Sequence, residues 1–327
     1  MKFIDLFAGI GGIRLGFQDF FSECVFSSEI DKYAKKTYEA NFKESPLGDI
    51  TKIQEKDIPS FDLLLAGFPC QPFSNAGLKK GFLDIRGNMF FHISRIVNYH
   101  KPQVVFLENV KALKNHNKGH TFKVIKGVLE DIGYTVYYEV LNAKNFNLPQ
   151  NRERLYIVAF LNNISFAFPT NIEQVTNVGQ ILEDNVDDKY TISDVLWSGH
   201  KRRKEEHKQK GNGFGYSLFN KNSPYTSTIS ARYYKDGSEI LIEQDNKNPR
   251  KLTPREAARL QGFPDNFIIP VSDIQAYKQF GNSVPVTVIK HIAKNIYYSI
   301  MYGKKIITNN SKDLFEYNNE DHKINHS

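Results

Sequence analysis

Apolar residues in the first 160 positions follow two alternating rhythms. Short runs rich in β-branched and aromatic residues, at 2–7, 24–28, 62–66, 104–107, 135–141 and 155–160, predict strands. Between them, at 32–41, 89–99 and 121–132, apolar residues recur at intervals of three and four, which predicts amphipathic helices. Gly133 follows the last of these where a C-cap is wanted. The alternation predicts an α/β fold with a doubly wound, mainly parallel sheet covered by helices on both faces, and such sheets place ligands beyond the carboxyl ends of their strands.

Near Phe168 the rhythm breaks. Residues 169–250 are rich in Asn, Gly, Ser, Lys and Tyr, with short strand-like pieces in TSTISARYY and EILIEQ, and predict a second, smaller, irregular β-containing domain. Helix signals return at Thr253-Pro254-Arg255-Glu256, which combines an N-cap residue with a proline at the first helical position. Residues 284–301 predict a closing helix that packs back on the first sheet. The expected division is therefore 1–168, 169–250, helices over 251–302, and a polar tail over 303–327, with no internal repeat.

Composition adds bounds. With 327 residues, 40% hydrophobic and 24% charged, the chain fits a soluble protein with one large domain and an appendage. No apolar run approaches the roughly 20 residues that span a bilayer. The N-terminus carries Asp5 and glycines where a signal peptide would be apolar, so a cytoplasmic location is expected. Two cysteines cannot by themselves build a disulfide framework or a zinc site, and Cys24, in ECVFSSE, reads as buried filler. A formal net charge of +7 suggests a polyanionic partner. The run HKRRKEEHKQK at 200–210 sharpens this, although a solvated helix face is the other reading of such a run.

Candidate chemistry clusters at strand ends. FAGIGG, 7–12, follows the first strand and opens a helix, but Arg14 stands where a dinucleotide fingerprint needs its third glycine. A nucleoside cofactor without a pyrophosphate, S-adenosylmethionine foremost, fits better, with Glu29 at the next strand end accepting from ribose hydroxyls; a turn kept for packing is the alternative. Cys70, in GFPCQPFSNAG, lies just past the third strand between Pro69 and Pro72. Glu108 ends the apolar run VVFLENV, an expensive placement for a carboxylate without a partner or a task. In QNRERLY, side-chain alternation puts Arg152 and Arg154 on one face, where they could grip a base oxygen and a loop or phosphate, or form a surface ladder with Glu153.

FAGIGG, PCQPFS, ENV, QNRERLY and QAYKQFGNSV, in that order and spacing, closely resemble the DNA (cytosine-5)-methyltransferases of bacterial type II restriction-modification systems, over residues 2 to about 300. The resemblance implies an S-adenosylmethionine-dependent methyltransferase fold, with catalysis and cofactor binding in 1–168 and target recognition in 169–250. It implies Cys70 as the nucleophile at cytosine carbon 6, Glu108 at ring nitrogen 3, Arg154 on the base carbonyl, and Arg152 supporting loop or backbone. Cofactor positions carried over are Phe7, Ala8, Gly9, Ile10, Gly11, Gly12, Glu29, Ile30, Asp49 (for the adenine amine), Ile50, Pro69 and Asn282. Ile30 departs from the large aromatic that family members often carry after the glutamate. No metal is implied.

Double-stranded DNA is the implied partner, with the target base flipped out of the stack and phosphates held by Lys201, Arg202 and Arg203. Arg232, Tyr233 and Lys235, in TSTISARYYKDG, are the expected readers of sequence. KGNGFGY followed by SARYYKDGSEILIE resembles recognition segments of enzymes that modify CC-and-GG type palindromes. A restriction endonuclease is the expected functional counterpart, and a monomer suffices. Three alternatives stand beside this: a transfer RNA substrate, a nucleotide-linked oxidoreductase, which Arg14 disfavours, and a noncatalytic DNA binder.

Overall fold

In the computed structural model, residues 1–69, 89–172 and 175–303 are described. The apolar runs become strands β1 Lys2–Leu6, β2 Glu23–Ser28, β3 Leu63–Gly67, β4 Val104–Val110, β5 Thr135–Asn142 and β6 Glu153–Phe160. Among the described residues they form one six-stranded sheet in the order β2-β1-β3-β4-β6-β5. β2, β1, β3 and β4 pair in parallel, and β6 runs antiparallel to both neighbours. The sheet is thus mixed, parallel over the half that carries the predicted chemistry.

Alternate residues of each strand enter opposite cores. Leu64, Ala66, Val105 and Leu107 meet α3 (Met89–His100) and α5 (His120–Ile132). Leu63, Leu65, Val104 and Phe106 meet α1 (Gly12–Phe17) and α9 (Val286–Tyr302) on the other face. The closing helix therefore packs back on the first sheet, beside α1. Gly133 ends α5 in the left-handed conformation, and its N–H bonds the carbonyls of Glu130 and Leu129. α2 (Lys32–Phe42) starts at Asp31, whose carboxylate accepts from the N–H groups of Tyr33 and Ala34.

The region after Phe168 is built differently. Its strands are two residues long, β7 Leu218–Phe219 and β8 Leu241–Ile242. The expected strand in TSTISARYY is absent: Thr226 makes an isolated bridge to Gln150, and residues 231–236 turn. HKRRKEEHKQK belongs to α6 (Asp194–Gln209), capped by Ser193. A third core joins Val178, Ile229, Tyr233, Ile240 and Ile242 to Leu252, Leu260, Tyr277 and Phe280, residues on both sides of position 250. Here α7 (Pro254–Leu260) opens with a full capping box between Thr253 and Glu256, and α8 (Asp273–Asn282) follows. Glu256, fully buried, also takes both Nη atoms of Arg250 at 2.7 Å. The short helix α4 (Ala112–Asn115) precedes α5. No helix among the described residues is long and apolar enough to cross a membrane.

Candidate active site

The carboxyl ends of β1, β2, β3 and β4 and the end of α8 enclose a cavity of about 700 Å³, within the range of small-molecule sites. Its floor is the FAGIGG turn. Phe7 adopts φ 55°, a left-handed conformation that costs an ordinary L-residue about 1 kcal/mol, and Gly9 and Gly11 are left-handed too. At Gly11 a side chain would run into the Phe42 ring, so only glycine fits. Glu29 braces the turn: Oε2 accepts from the Gly9 N–H and Oε1 from the Asp31 N–H, both at 2.8 Å. Each oxygen keeps further acceptor capacity, and Glu29 lines the cavity.

The opposite wall carries the acid and the arginines. β3 and β4 pair with Gly67 opposite Glu108, and β4 and β6 with Tyr156 opposite it. Glu108 Oε1 lies 3.3 Å from Arg154 Nε. Burial pushes the Glu108 carboxyl up, against the pull of Arg154 and Arg152. The group is thereby poised to hold a proton while remaining beside a fixed cation.

Arg152 does not share this work. It precedes β6, is buried, and donates Nη1 to Ile229 O at 3.0 Å and Nη2 to Gly281 O at 3.0 Å and Ser283 O at 2.6 Å. Arg154 faces the acid and Arg152 is committed to backbone, a division consistent with one arginine for the base and one for a loop.

Of the remaining cofactor positions, Phe7, Ala8, Gly9, Ile10, Gly12, Glu29, Ile30, Pro69 and Asn282 line the cavity. Ile30 is 74% exposed, an apolar flank open to a ring. Gly11, Asp49 and Ile50 do not line it: Gly11 makes the turn, Asp49 caps its own short helix by accepting from the Thr51 N–H, and Ile50 is in the core. Cys70 lies outside the described residues, one residue beyond Pro69 in the chain. No group of His, Cys, Asp and Glu among the described residues is arranged to hold a metal.

Several residues at the site escaped the sequence reading. Asn109, 3% exposed, donates Nδ2 to Phe68 O at 2.8 Å, pinning the chain just before Pro69. Gln275, Lys278 and Gln279 of α8 form a side wall. Away from the cavity lining, Asp5, fully buried in β1, has no hydrogen-bond partner among the described residues on either carboxylate oxygen, and burial raises it to about 7. Asn109 and Gln279 stood inside ENV and QAYKQFGNSV, so the motifs flagged them without revealing their partners.

The expected DNA face divides. Lys201 and Arg202 project from α6, Arg202 within 3.5 Å of Glu206, while Arg203 is held by Asp236 at 3.3 Å. Arg232 is exposed on the cavity rim and Lys235 is exposed nearby. Tyr233 is corrected: its ring is fully buried, its hydroxyl donates to Ile240 O and accepts from the Leu252 N–H, and it cannot reach DNA.

An α/β sheet, a glycine turn braced by Glu29, and a buried acid beside an arginine thus meet on one cavity. Comparison with known proteins makes the class specific. Residues 1–298 match the family model for C-5 cytosine-specific DNA methylases, and the chain belongs to that family. It is 64% identical over 299 residues to the type II methyltransferase M.NlaX of Neisseria lactamica, covering 90% of this chain and 96% of that one. It is 59% identical over 300 residues to the type II methyltransferase M.DsaV of Dactylococcopsis salina, covering 90% and 86%. Among solved structures it resembles the Entamoeba histolytica methyltransferase EhMeth, with a TM-score of 0.76 at 25% identity over 92% of this chain and 98% of that chain. The S. pombe Dnmt2 methyltransferase shares the fold, with a TM-score of 0.77 at 21% identity over 92% and 99%.

Proposed function

We propose that this DNA cytosine-5 methyltransferase uses S-adenosylmethionine to methylate one short sequence in double-stranded DNA, and that it protects its host's DNA from a counterpart restriction endonuclease. The observation that carries the reading is the Glu108–Arg154 pair on the wall of the same cavity that holds the Glu29-braced turn. Relatives named type II methyltransferases support the restriction-modification setting.

The cavity fits the cofactor: a glycine turn admits close approach, Glu29 offers acceptors, and Ile30 and Phe7 offer apolar surface. When bound, S-adenosylmethionine supplies a sulfonium methyl group. Cytosine carbon 5 is too electron-poor to take that methyl unaided. Addition of the Cys70 thiolate to carbon 6 pushes an electron pair toward carbon 5. Glu108, whose carboxyl burial pushes up, donates a proton to ring nitrogen 3 and stabilises the adduct. Arg154 holds the base carbonyl and the Glu108 carboxyl in one frame. Once carbon 5 is methylated, its proton passes to water, the carbon–sulfur bond breaks to return the thiolate, and the nitrogen 3 proton returns to Glu108. The cavity lies beyond the sheet's edge, so the target base must leave the duplex, at a few kcal/mol that phosphate contacts offset.

Methyl transfer from labelled S-adenosylmethionine to unmethylated genomic DNA, with base-resolution mapping of 5-methylcytosine, tests this. Methylation confined to one short motif is expected. Incorporation into transfer RNA alone, or none with cofactor bound, would overturn it.

A further inference from the structure

The residues just upstream of β6 hold two distant segments together. Gln150 Oε1 accepts from the Ile229 N–H at 3.2 Å, and Arg152 Nη1 donates to the Ile229 carbonyl at 3.0 Å, so both backbone polar groups of one residue are held. The same guanidinium holds the carbonyls of Gly281 and Ser283, which flank Asn282. Gln150 also donates Nε2 to Leu260 O and Gln261 Oε1, and Gln261 donates Nε2 to Phe280 O at 2.6 Å. Asn151 continues the seam: its N–H donates to Thr226 O at 2.9 Å, and its carbonyl accepts from Thr228 Oγ1 at 2.6 Å. At Gly281 an added side chain would strike the Ser230 carbonyl and Ala231 nitrogen, so the two segments touch directly.

One segment leads within three residues to Arg232 on the cavity rim; the other carries Asn282 into the cavity. A guanidinium is a planar fork with fixed donor directions, so shifting 281–283 strains its bond to Ile229, and the reverse. We propose that Gln150 and Arg152 are positioning residues that couple the two segments, so that filling the cofactor cavity changes the DNA-reading segment and DNA binding changes cofactor affinity. The inference rests on the cavity being the cofactor site.

The test measures binding of a duplex carrying the mapped target sequence, with and without saturating S-adenosylhomocysteine. In the wild type the cofactor product is expected to tighten DNA roughly fivefold or more, and DNA to tighten the cofactor product by the same factor. Arg152→Lys retains a charge but loses the fork, and the factor is expected to fall below about twofold. Thr228→Val removes one tie of the seam without touching the guanidinium, and the factor is expected to fall about twofold. A purely structural role would weaken both separate affinities and leave their ratio intact. An unchanged ratio in Thr228→Val, together with an unchanged ratio or loss of folding in Arg152→Lys, overturns the inference, as does the absence of coupling in the wild type. A wild type that methylates DNA yet shows no coupling sinks the inference alone, whereas one that binds no S-adenosylhomocysteine sinks the reading beneath it.

Discussion

Glu108 sits in a strand bonded on both flanks, with Gly67 of β3 on one side and Tyr156 of β6 on the other. Arg232 lies in a turn of a region whose strands are two residues long, and the chain leading to it is held by side chains: Gln150, Arg152, Thr228 and Tyr233. The Glu108 wall thus takes its geometry from backbone ladders and buried apolar faces, and the Arg232 segment takes its geometry from individual hydrogen bonds. A ladder tolerates few changes, because moving one strand disturbs its neighbours. A segment hung from side chains can be re-aimed by substitutions that leave the sheet intact.

The largest expected effect comes from removing chemistry while keeping the ladder. Glu108→Gln preserves shape and cannot protonate ring nitrogen 3. Turnover is expected to fall about 10²- to 10⁴-fold, with S-adenosylhomocysteine affinity within a fewfold of wild type and the melting temperature held. Equal losses in turnover and cofactor affinity would mean that Glu108 supports the wall instead of acting on the base.

Asp5 probes the same sheet from inside. Its carboxyl is neutral in the native state up to about pH 7 against an ordinary 3.8, so between those values the unfolded chain releases a proton that the folded chain keeps. Stability therefore falls as pH rises through that window, by up to ~4 kcal/mol, and is level outside it. Asp5→Asn should flatten this part of the profile and raise stability at pH 8. Denaturant titrations at pH 5 and pH 8 check it, and an unchanged difference between them would show that Asp5 finds a charge partner in solution.

The contrast between regions also explains what the sequence made legible. The strands came within three residues of their observed ends because all but the edge strand β5 are largely buried apolar runs, and the Thr253 cap was readable because all its parts are local. The reversal of β6 was not readable, since ERLYIVAF has the same composition in either direction. The partners of Arg152 were not readable, because its acceptors lie 77 to 131 residues away. Tyr233 looked like a reader because nothing nearby in sequence announces Ile240, Leu252 and Tyr277 around it. Asp49 has a local partner in Thr51 that the resemblance did not foresee.

Tyr233→Phe separates packing from reading in the second region. The hydroxyl makes two buried bonds, at 2.7 Å to Ile240 O and from the Leu252 N–H, and its loss leaves both groups unpaired. Stability is expected to drop by about 1–3 kcal/mol, with the salt dependence of DNA binding unchanged. A changed salt slope at full stability would put Tyr233 back on the DNA face.

The smallest effect per residue is expected on α6, where nothing is buried by the change. Lys201→Gln and Arg202→Gln each remove one exposed charge; among the described residues Arg202 pairs with solvent-exposed Glu206, a pairing worth little in water. If these groups meet phosphates, each substitution should lower the slope of log affinity against log salt by about 1, equally for target and non-target duplexes. Arg203→Gln differs, since its guanidinium already bonds Asp236 and lies beside His200 Nδ1, so part of its effect should appear as lost stability. Equal slopes for wild type and the Lys201 and Arg202 variants would make the basic run a solvated helix face. DNA would then be held by the cavity rim, and Arg232 and Lys235 would have to supply the contacts that recover the energy of base flipping.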